Sequence, residues 1–358
     1  MQTNSYVAQA DRLGEQLSRS LGIEPPRAAV LEAVAAMHGA ASWKALNGPK
    51  APRGLCRLLH RHSQPPLSVV EDFDEMLATL PDEGLRLGLL NGDQPGSFDL
   101  SDGILKRHVL ISSANGFGGR VMLEYLIVQQ VIRGGGLLLA DGLDDPGMAR
   151  MLESAACFAG RSGELRPLSG ESGEGALLDV VERSFLGYCR VPFGSIGTDA
   201  ATVSREAMSQ MFDLFWQQVG ILAWRGHRPR IPFLVVVPAA ASVLDASWAA
   251  RFSHARGFGI AIVLQEQSLV PFKQADVVVR EQVLGNTFTK VFFNQTSTDA
   301  VDAAAACLVA QVSGATREDT RERLVALGMG DALVVSGRGL HGVHTCMVKH
   351  PRQWGKSV

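Results

Sequence analysis

The sequence predicts an α/β domain built on a mainly parallel sheet, with a small helical module ahead of it. Three observations carry this expectation. From residue 106 onward, short apolar runs (RHVLIS, GLLLAD, PFLVVVP, GIAIVLQ) alternate with longer segments of helical spacing. The runs are continuously apolar, as strands covered on both faces must be. Strand–helix alternation is in turn the pattern of a parallel sheet with helices on its two sides.

The elements follow in chain order. SYVAQADRLGEQLSRSLG places Tyr6, Ala10, Leu13, Leu17 and Leu21 on one helical face, and Gly22 stops it. Pro25 and Pro26 set up a second helix, RAAVLEAVAAMHG, ending at Gly39. SWKALNG adds a short turn with Ser42 as N-cap and Trp43 and Leu46 facing inward. Three short helices bury little alone, so 1–48 reads as a docking module. Residues 49–100 read as a linker, GPKAPRG, followed by short connecting elements, and 101–352 as the main domain.

Within that domain, strand RHVLIS leads to helix MLEYLIVQQVIR, and strand GLLLAD to helix PGMARMLESAACFA. A Gly/Ser-rich loop, SGESGEG, precedes the expected helix ALLDVVERSFLGY. The long helix DAATVSREAMSQMFDLFWQQVGILAW leads to strand PFLVVVP. Helix ASWAARFSHAR, strand GIAIVLQ, a connection, and strands TKVFFN and ALVVS complete the domain.

Composition narrows the function classes. With 34 basic and 36 acidic residues the net charge is −2, which gives no global pull toward nucleic acid or an acidic membrane. Hydrophobic content of 46% fits a sizeable core in a globular chain. The five scattered cysteines, Cys56, Cys157, Cys189, Cys307 and Cys346, form no CxxC pair and suit a reducing, cytoplasmic setting. No signal peptide and no apolar run long enough for a membrane span are visible.

The stretch SSANGFGGRVML, 112–123, lies between a strand and a helix, where a phosphate-binding loop belongs. In the pattern G-x-x-x-x-G-K-[ST], Ser113 takes the first glycine, Gly118 the second, Gly119 the lysine and Arg120 the hydroxyl position. Asn115, Gly116, Gly118 and Gly119 allow the sharp turn. Arg120 carries only donors, so it cannot replace a hydroxyl on Mg²⁺. A second strand of such a site ends in a carboxylate that orients the metal. Here PFLVVVPAAAS ends in Pro238, Ala239, Ala240 and Ala241, and Asp245 further on reads as a helix N-cap. Lysine, hydroxyl and both carboxylates are absent together.

The order of parts resembles the type IV coupling proteins of bacterial conjugation, within the FtsK–HerA superfamily of DNA-pumping ATPases. RHVLISSANGFGGRVMLEYLIVQQVIRGGGLLLADG is similar to that family's Walker A region. PFLVVVPAAASVLDASWAARFSHARGFGIAIVLQEQSL is similar to its Walker B strand, the next helix and a strand ending in a sensor glutamine, here Gln267; GNTFTKVFFN, with Asn286, follows. The resemblance covers about 100–350 and implies a RecA-like P-loop NTPase fold, oligomerisation, DNA, and protein partners in a transfer or secretion system. It implies a place in the cytoplasm, peripheral to a membrane-bound secretion complex. LEAVAAMHG with the following Ala-Ser-Trp-Lys-Ala-Leu resembles a helical module labelled glyoxalase-related; no catalytic inference is attached to it.

Other residues carry paired readings. Gln267 is a nucleotide sensor or a polar residue at a strand end. Arg251 and Arg256 are arginine fingers or solvated charges. Asp141 is a displaced metal ligand or a turn-former before Gly142. The groupings Cys56, His60, His62 and His341, His344, Cys346, His350 miss the spacing of a zinc site, so no metal is expected. The C-terminal Gly355-Lys356-Ser357 has no strand and loop ahead of it. The sequence therefore reads as a catalytically inactive ATPase homologue without cofactor, a scaffold or adaptor in a DNA-transfer system. The alternatives are a divergent ATPase holding ATP and Mg²⁺ through the glycine loop and Arg120, and a nucleic-acid-binding module without ATPase activity.

Overall fold

The computed structural model describes residues 28, 30–31, 69–70, 80–90, 96–141, 145–168, 174–190, 198–245, 247–274, 277–337, 339–345 and 347–348. The chain divides into two compact units, Met1–Pro66 and Leu67–Val358. Of the first, only Ala28, Val30 and Leu31 are described, and they are helical, within the second expected helix. The other two N-terminal helices and the linker GPKAPRG lie outside the described residues.

The second unit runs β1 (Val69–Val70), β2 (Leu85–Leu90), β3 (Ser97–Leu100), α1 (Asp102–Leu105), β4 (Val109–Ser112), α2 (Gly119–Ile132), β5 (Leu137–Asp141), α3 (Pro146–Phe158), β6 (Leu165–Leu168), α4 (Glu174–Glu182), β7 (Leu186–Arg190), α5 (Thr198–Trp224), β8 (Phe233–Pro238), α6 (Trp248–Ala255), β9 (Ile260–Glu266), α7 (Val270–Gln274), α8 (Val277–Asn286), β10 (Thr289–Phe293), α9 (Thr298–Val309), α10 (Arg317–Ala326), β11 (Asp331–Ser336), β12 (Gly339–Thr345) and β13 (Met347–Val348). Eleven strands form one sheet in the order β3-β2-β12-β11-β10-β4-β9-β8-β5-β7-β6, and β1 pairs with β13 separately. From β10 to β6 every neighbouring pair is parallel. From β10 back to β3 every pair is antiparallel.

Alternation inside each apolar strand splits the core in two. Phe233, Val235 and Val237 of β8 pack on one side with Phe212, Phe215 and Trp248. Leu234 and Val236 pack on the other with Met122, Leu126, Met151 and Leu152. This is why the strand reads as a continuous apolar run: both faces lose water.

The structure departs from expectation in four places. ALLDVVERSFLGY is not one helix: α4 stops at Glu182, Ser184 takes a positive φ of 55°, and Leu186–Arg190 is β7. The strand β6 precedes α4, beginning with the unpromising LRPL. Helices α9 and α10 fill the interval before β11. Finally, the sheet carries the antiparallel extension β11-β12-β2-β3, whose Gly- and His-bearing β12 is only half-buried.

Candidate functional site: the glycine loop

The loop joins the C-terminal end of β4 to α2. Register places Ser112 beside Phe292 of β10 and Glu266 of β9, so the loop emerges between two neighbours. Ser113 N–H donates to Glu266 C=O (3.0 Å) and Ala114 N–H to Asn294 C=O (3.2 Å), which pins the loop's entry to both. Gly118 caps α2 at φ 118°, and a Cβ there would meet Phe293 Cε1 at 2.9 Å and Gly330 Cα at 3.2 Å. Gly330 N–H donates to Phe117 C=O (3.0 Å), so the turn before β11 packs on the loop. Only glycine fits this combination of backbone and space.

Ser113 and Gly119 fit each other. Ser113 is buried, and its Oγ accepts the Gly119 N–H at 3.1 Å while donating to Ala114 C=O at 2.9 Å. A Cβ on Gly119 would lie 2.3 Å from Ser113 Cβ and 2.9 Å from its Oγ. The serine side chain therefore occupies the space from which a lysine at 119 would have to start. It also engages an amide that, in a phosphate loop, faces an anion.

Arg120 is turned to other partners. Its Nε donates to Glu124 (2.8 Å), and its Nη1 pairs with Asp145. Asp145 is the N-cap of α3 and accepts the Gly147 N–H (2.7 Å). A Cβ on Gly147 would lie 2.9 Å from Arg120 Nη2. The guanidinium thus docks on the start of α3, one helix away from its own loop.

The second strand offers no carboxylate of its own. Pro238 ends β8, Ala239 sits in the left-handed region at φ 51°, and 240–242 form a 3₁₀ turn. An acid comes instead from the neighbouring strand. Glu266, 7% exposed, accepts the Ala241 N–H (2.9 Å) through Oε2 and the Gln267 N–H (2.9 Å) through Oε1. Sequence reasoning passed over it in favour of Gln267. The signal was present, because an apolar strand ending in an acid was sought on β8 and stands on β9. Gln267 itself is exposed and lies just past the strand.

The remaining candidates do not converge on the loop. Asp141 is fully buried and accepts the Asp145 N–H (2.8 Å) and the Tyr188 hydroxyl (3.1 Å), a turn-holding arrangement. It also helps burial push the Cys189 thiol up to about 12. Arg251 is neither solvated nor projecting. It is buried in α6, paired with Asp213 of α5 and set over Trp248 at 5.2 Å. Arg256 is exposed. Asp245 is not the N-cap of α6: Ser247 holds that place, and Asp245 accepts its N–H (2.8 Å). Asn286 bonds back to Gln282 of its own helix. His344 pairs with Asp331 at 2.6 Å, and His341 packs on Phe98 at 4.9 Å. No three His, Cys, Asp or Glu among the described residues are grouped to hold a metal ion. Cys56, His60, His62, Cys346 and His350 lie outside the described residues.

A glycine loop at the C-terminal end of a central parallel strand, running straight into a helix, with β9 between that strand and β8, defines a RecA-like P-loop NTPase fold. No protein-family model matches the sequence, and no curated protein sequence matches it. Solved structures do resemble it. The plasmid coupling protein TrwB, in complex with a non-hydrolysable GTP analogue, aligns at 12% identity and TM-score 0.49 over 70% of this chain and 88% of that one. VirB4 of Thermoanaerobacter pseudethanolicus aligns at 11% identity and TM-score 0.48, over 76% and 99%. The genome-packaging NTPase B204 from Sulfolobus turreted icosahedral virus 2 aligns at 10% identity and TM-score 0.42, over 68% and 99%. No described helix is long and apolar enough to cross a membrane.

Proposed function

We propose that this chain is a non-hydrolysing member of the P-loop fold, acting as a scaffold or adaptor in a conjugation- or secretion-type DNA-transfer system. One observation carries the first half: the Ser113 side chain fills the root of the missing lysine and engages the Gly119 amide. With Arg120 paired to Asp145 and Glu124, no cation is left in the loop to balance a triphosphate. With Pro238 and Ala239 ending β8, no carboxylate there orients a metal. Loss of a single transition-state contact costs about 10²–10³ in rate, and here several are missing together. The second half rests on the sequence resemblance to coupling proteins over about 100–350, which supplies the setting and the protein partners.

The test is Mg²⁺-dependent ATP and GTP turnover by the purified full chain, alongside thermal shift with the same nucleotides. The expected result is background hydrolysis and no shift. A ligand at 100 times its Kd would stabilise by about 2.7 kcal/mol, so binding would be visible. Turnover that disappears on changing Glu266 to Gln would refute the reading and make Glu266 the transposed carboxylate of an active enzyme.

A further inference from the structure

Helix α5 has one side in the core and another that the described residues leave open. Phe215, Val219 and Leu222 are buried. Gln217, Gly220, Ile221, Trp224 and Arg225 recur at i, i+3, i+4, i+7 and i+8, so they share the opposite side. Trp224 is 89% exposed and Ile221 42%. Together these five residues line a groove of ≈ 570 Å³. A single exposed apolar residue needs no explanation, but two at the same groove point to a contact.

Gly220 adds a second observation. Glycine is among the poorest residues for a helix interior, and the fold gets nothing back for it here. A Cβ at 220 would meet no atom of the described residues within 4 Å, so no close packing requires the glycine. What the missing side chain leaves is depth in the groove. Charge is the third observation. No Asp or Glu occurs between Asp213 and Asp245, whereas Arg225, His227, Arg228 and Arg230 all do. Asp213 is itself paired with Arg251. Arg228 caps the end of α5 by donating to the Ala223 carbonyl (3.0 Å), and it also donates to the His227 carbonyl (2.8 Å). Arg225, on the groove, is exposed and has no carboxylate partner among the described residues.

We propose that this face of α5 is a docking groove for an acidic amphipathic helix of a partner protein. The helix seats aliphatic side chains on Ile221 and Trp224 over Gly220 and sets a carboxylate against Arg225. An apolar stripe laid into a groove is a recurring mode of helix recognition, and the run from Gln217 to Arg225, about 12 Å long, matches roughly two turns of a partner. The acid-free surroundings of Arg225 select the sign of the partner's charge. A second copy of this chain fits less well, because a two-fold contact would set each Arg225-bearing rim against its own like. A polynucleotide would find an apolar floor and, with Arg228 spent as a cap, few free cations. A membrane would require a wider apolar face. The proposal does not rest on the reading of the glycine loop.

The test is fluorescence anisotropy of the full chain with a labelled synthetic peptide of about 14 residues, leucine at i, i+3, i+4 and i+7 and glutamate and alanine elsewhere. Binding is expected in about 50 mM salt, weakening as salt screens the exposed charges, and the same peptide with lysine for glutamate should not bind. Gly220→Leu fills the groove and should weaken binding at least about tenfold. Its unfolding midpoint should stay or rise, since leucine favours a helix over glycine, which separates lost binding from lost fold. Trp224→Ala should also weaken binding at least about tenfold, and Arg225→Glu about two- to fivefold with a flatter salt dependence. No binding, equal binding of the lysine peptide, or unchanged affinity in either Gly220→Leu or Trp224→Ala overturns the proposal. So does oligo-dT or a phosphatidylserine vesicle that displaces the peptide, or self-association in sedimentation velocity that Gly220→Leu abolishes.

Discussion

Gly119→Ala is expected to destabilise the protein, and Ser113→Gly to rescue it. An alanine Cβ at 119 would sit 2.3 Å from Ser113 Cβ, far inside van der Waals contact, and both positions are buried. Overpacking of this kind costs about 1–3 kcal/mol, partly offset by up to about 1 kcal/mol from the better helix propensity of alanine. The net loss is about 1–2 kcal/mol. Ser113→Gly alone forfeits the acceptor for the Gly119 N–H, worth about 1 kcal/mol, and adds roughly 0.5–1 kcal/mol of backbone freedom to the unfolded chain. Were the two changes independent, the double variant would lose about 3 kcal/mol. Because the glycine at 113 removes the atoms that clash, the double variant is expected to lose only about 1 kcal/mol, a coupling of about 2 kcal/mol. Urea unfolding of the four proteins at a common m-value measures the cycle. Additivity within about 0.5 kcal/mol would mean that Ser113 does not fill the place of a side chain at 119.

Four further outcomes follow from the same geometry. Nucleotide-dependent thermal stabilisation is expected to appear in the combined variant Ser113→Gly, Gly119→Lys, Arg120→Ser, but not in Gly119→Lys alone, since the lysine has no room to start while Ser113 stands; equal behaviour of the two would contradict this. Gly118→Ala should cost about 2 kcal/mol or more in chemical denaturation, because it combines φ 118° with a 2.9 Å approach to Phe293. Burial holds His108 down at about 4 against a backbone bond to Phe252 that raises it, and its Nδ1 accepts the Ile262 N–H. With the folded value below the unfolded one, this contribution is fully present above about pH 6.5 and is lost as pH falls toward 4; wild type should lose about 3 kcal/mol more than His108→Gln over that window. Iodoacetamide at mild alkaline pH should modify exposed Cys157 and spare Cys189, whose thiol is pushed up to about 12, as read by peptide mass spectrometry on the folded protein.

What was legible in the sequence follows from how many surfaces each segment buries. β4, β5, β8 and β9 lose water on both faces, so their apolarity is continuous and unmistakable. β7 escaped notice because FLGYC prolongs the apolar spacing of α4, and only the positive φ at Ser184 marks the break. β6 contains Pro167 and lies at the sheet edge, where a missing N–H is tolerated. The site divides in the same way. Its turn was legible because glycine reports backbone geometry locally. Its chemistry was not, because Arg120 is held by Asp145, whose position depends on where α3 begins, a strand and a turn later. Seen together, Ser113, Gly119, Arg120 and Gly147 form one interlocked arrangement. Ser113 fits only because residue 119 is glycine, and Arg120 closes onto α3 only because Gly147 leaves it room. A lysine restored at 119 alone is therefore expected to fail sterically before it can fail chemically.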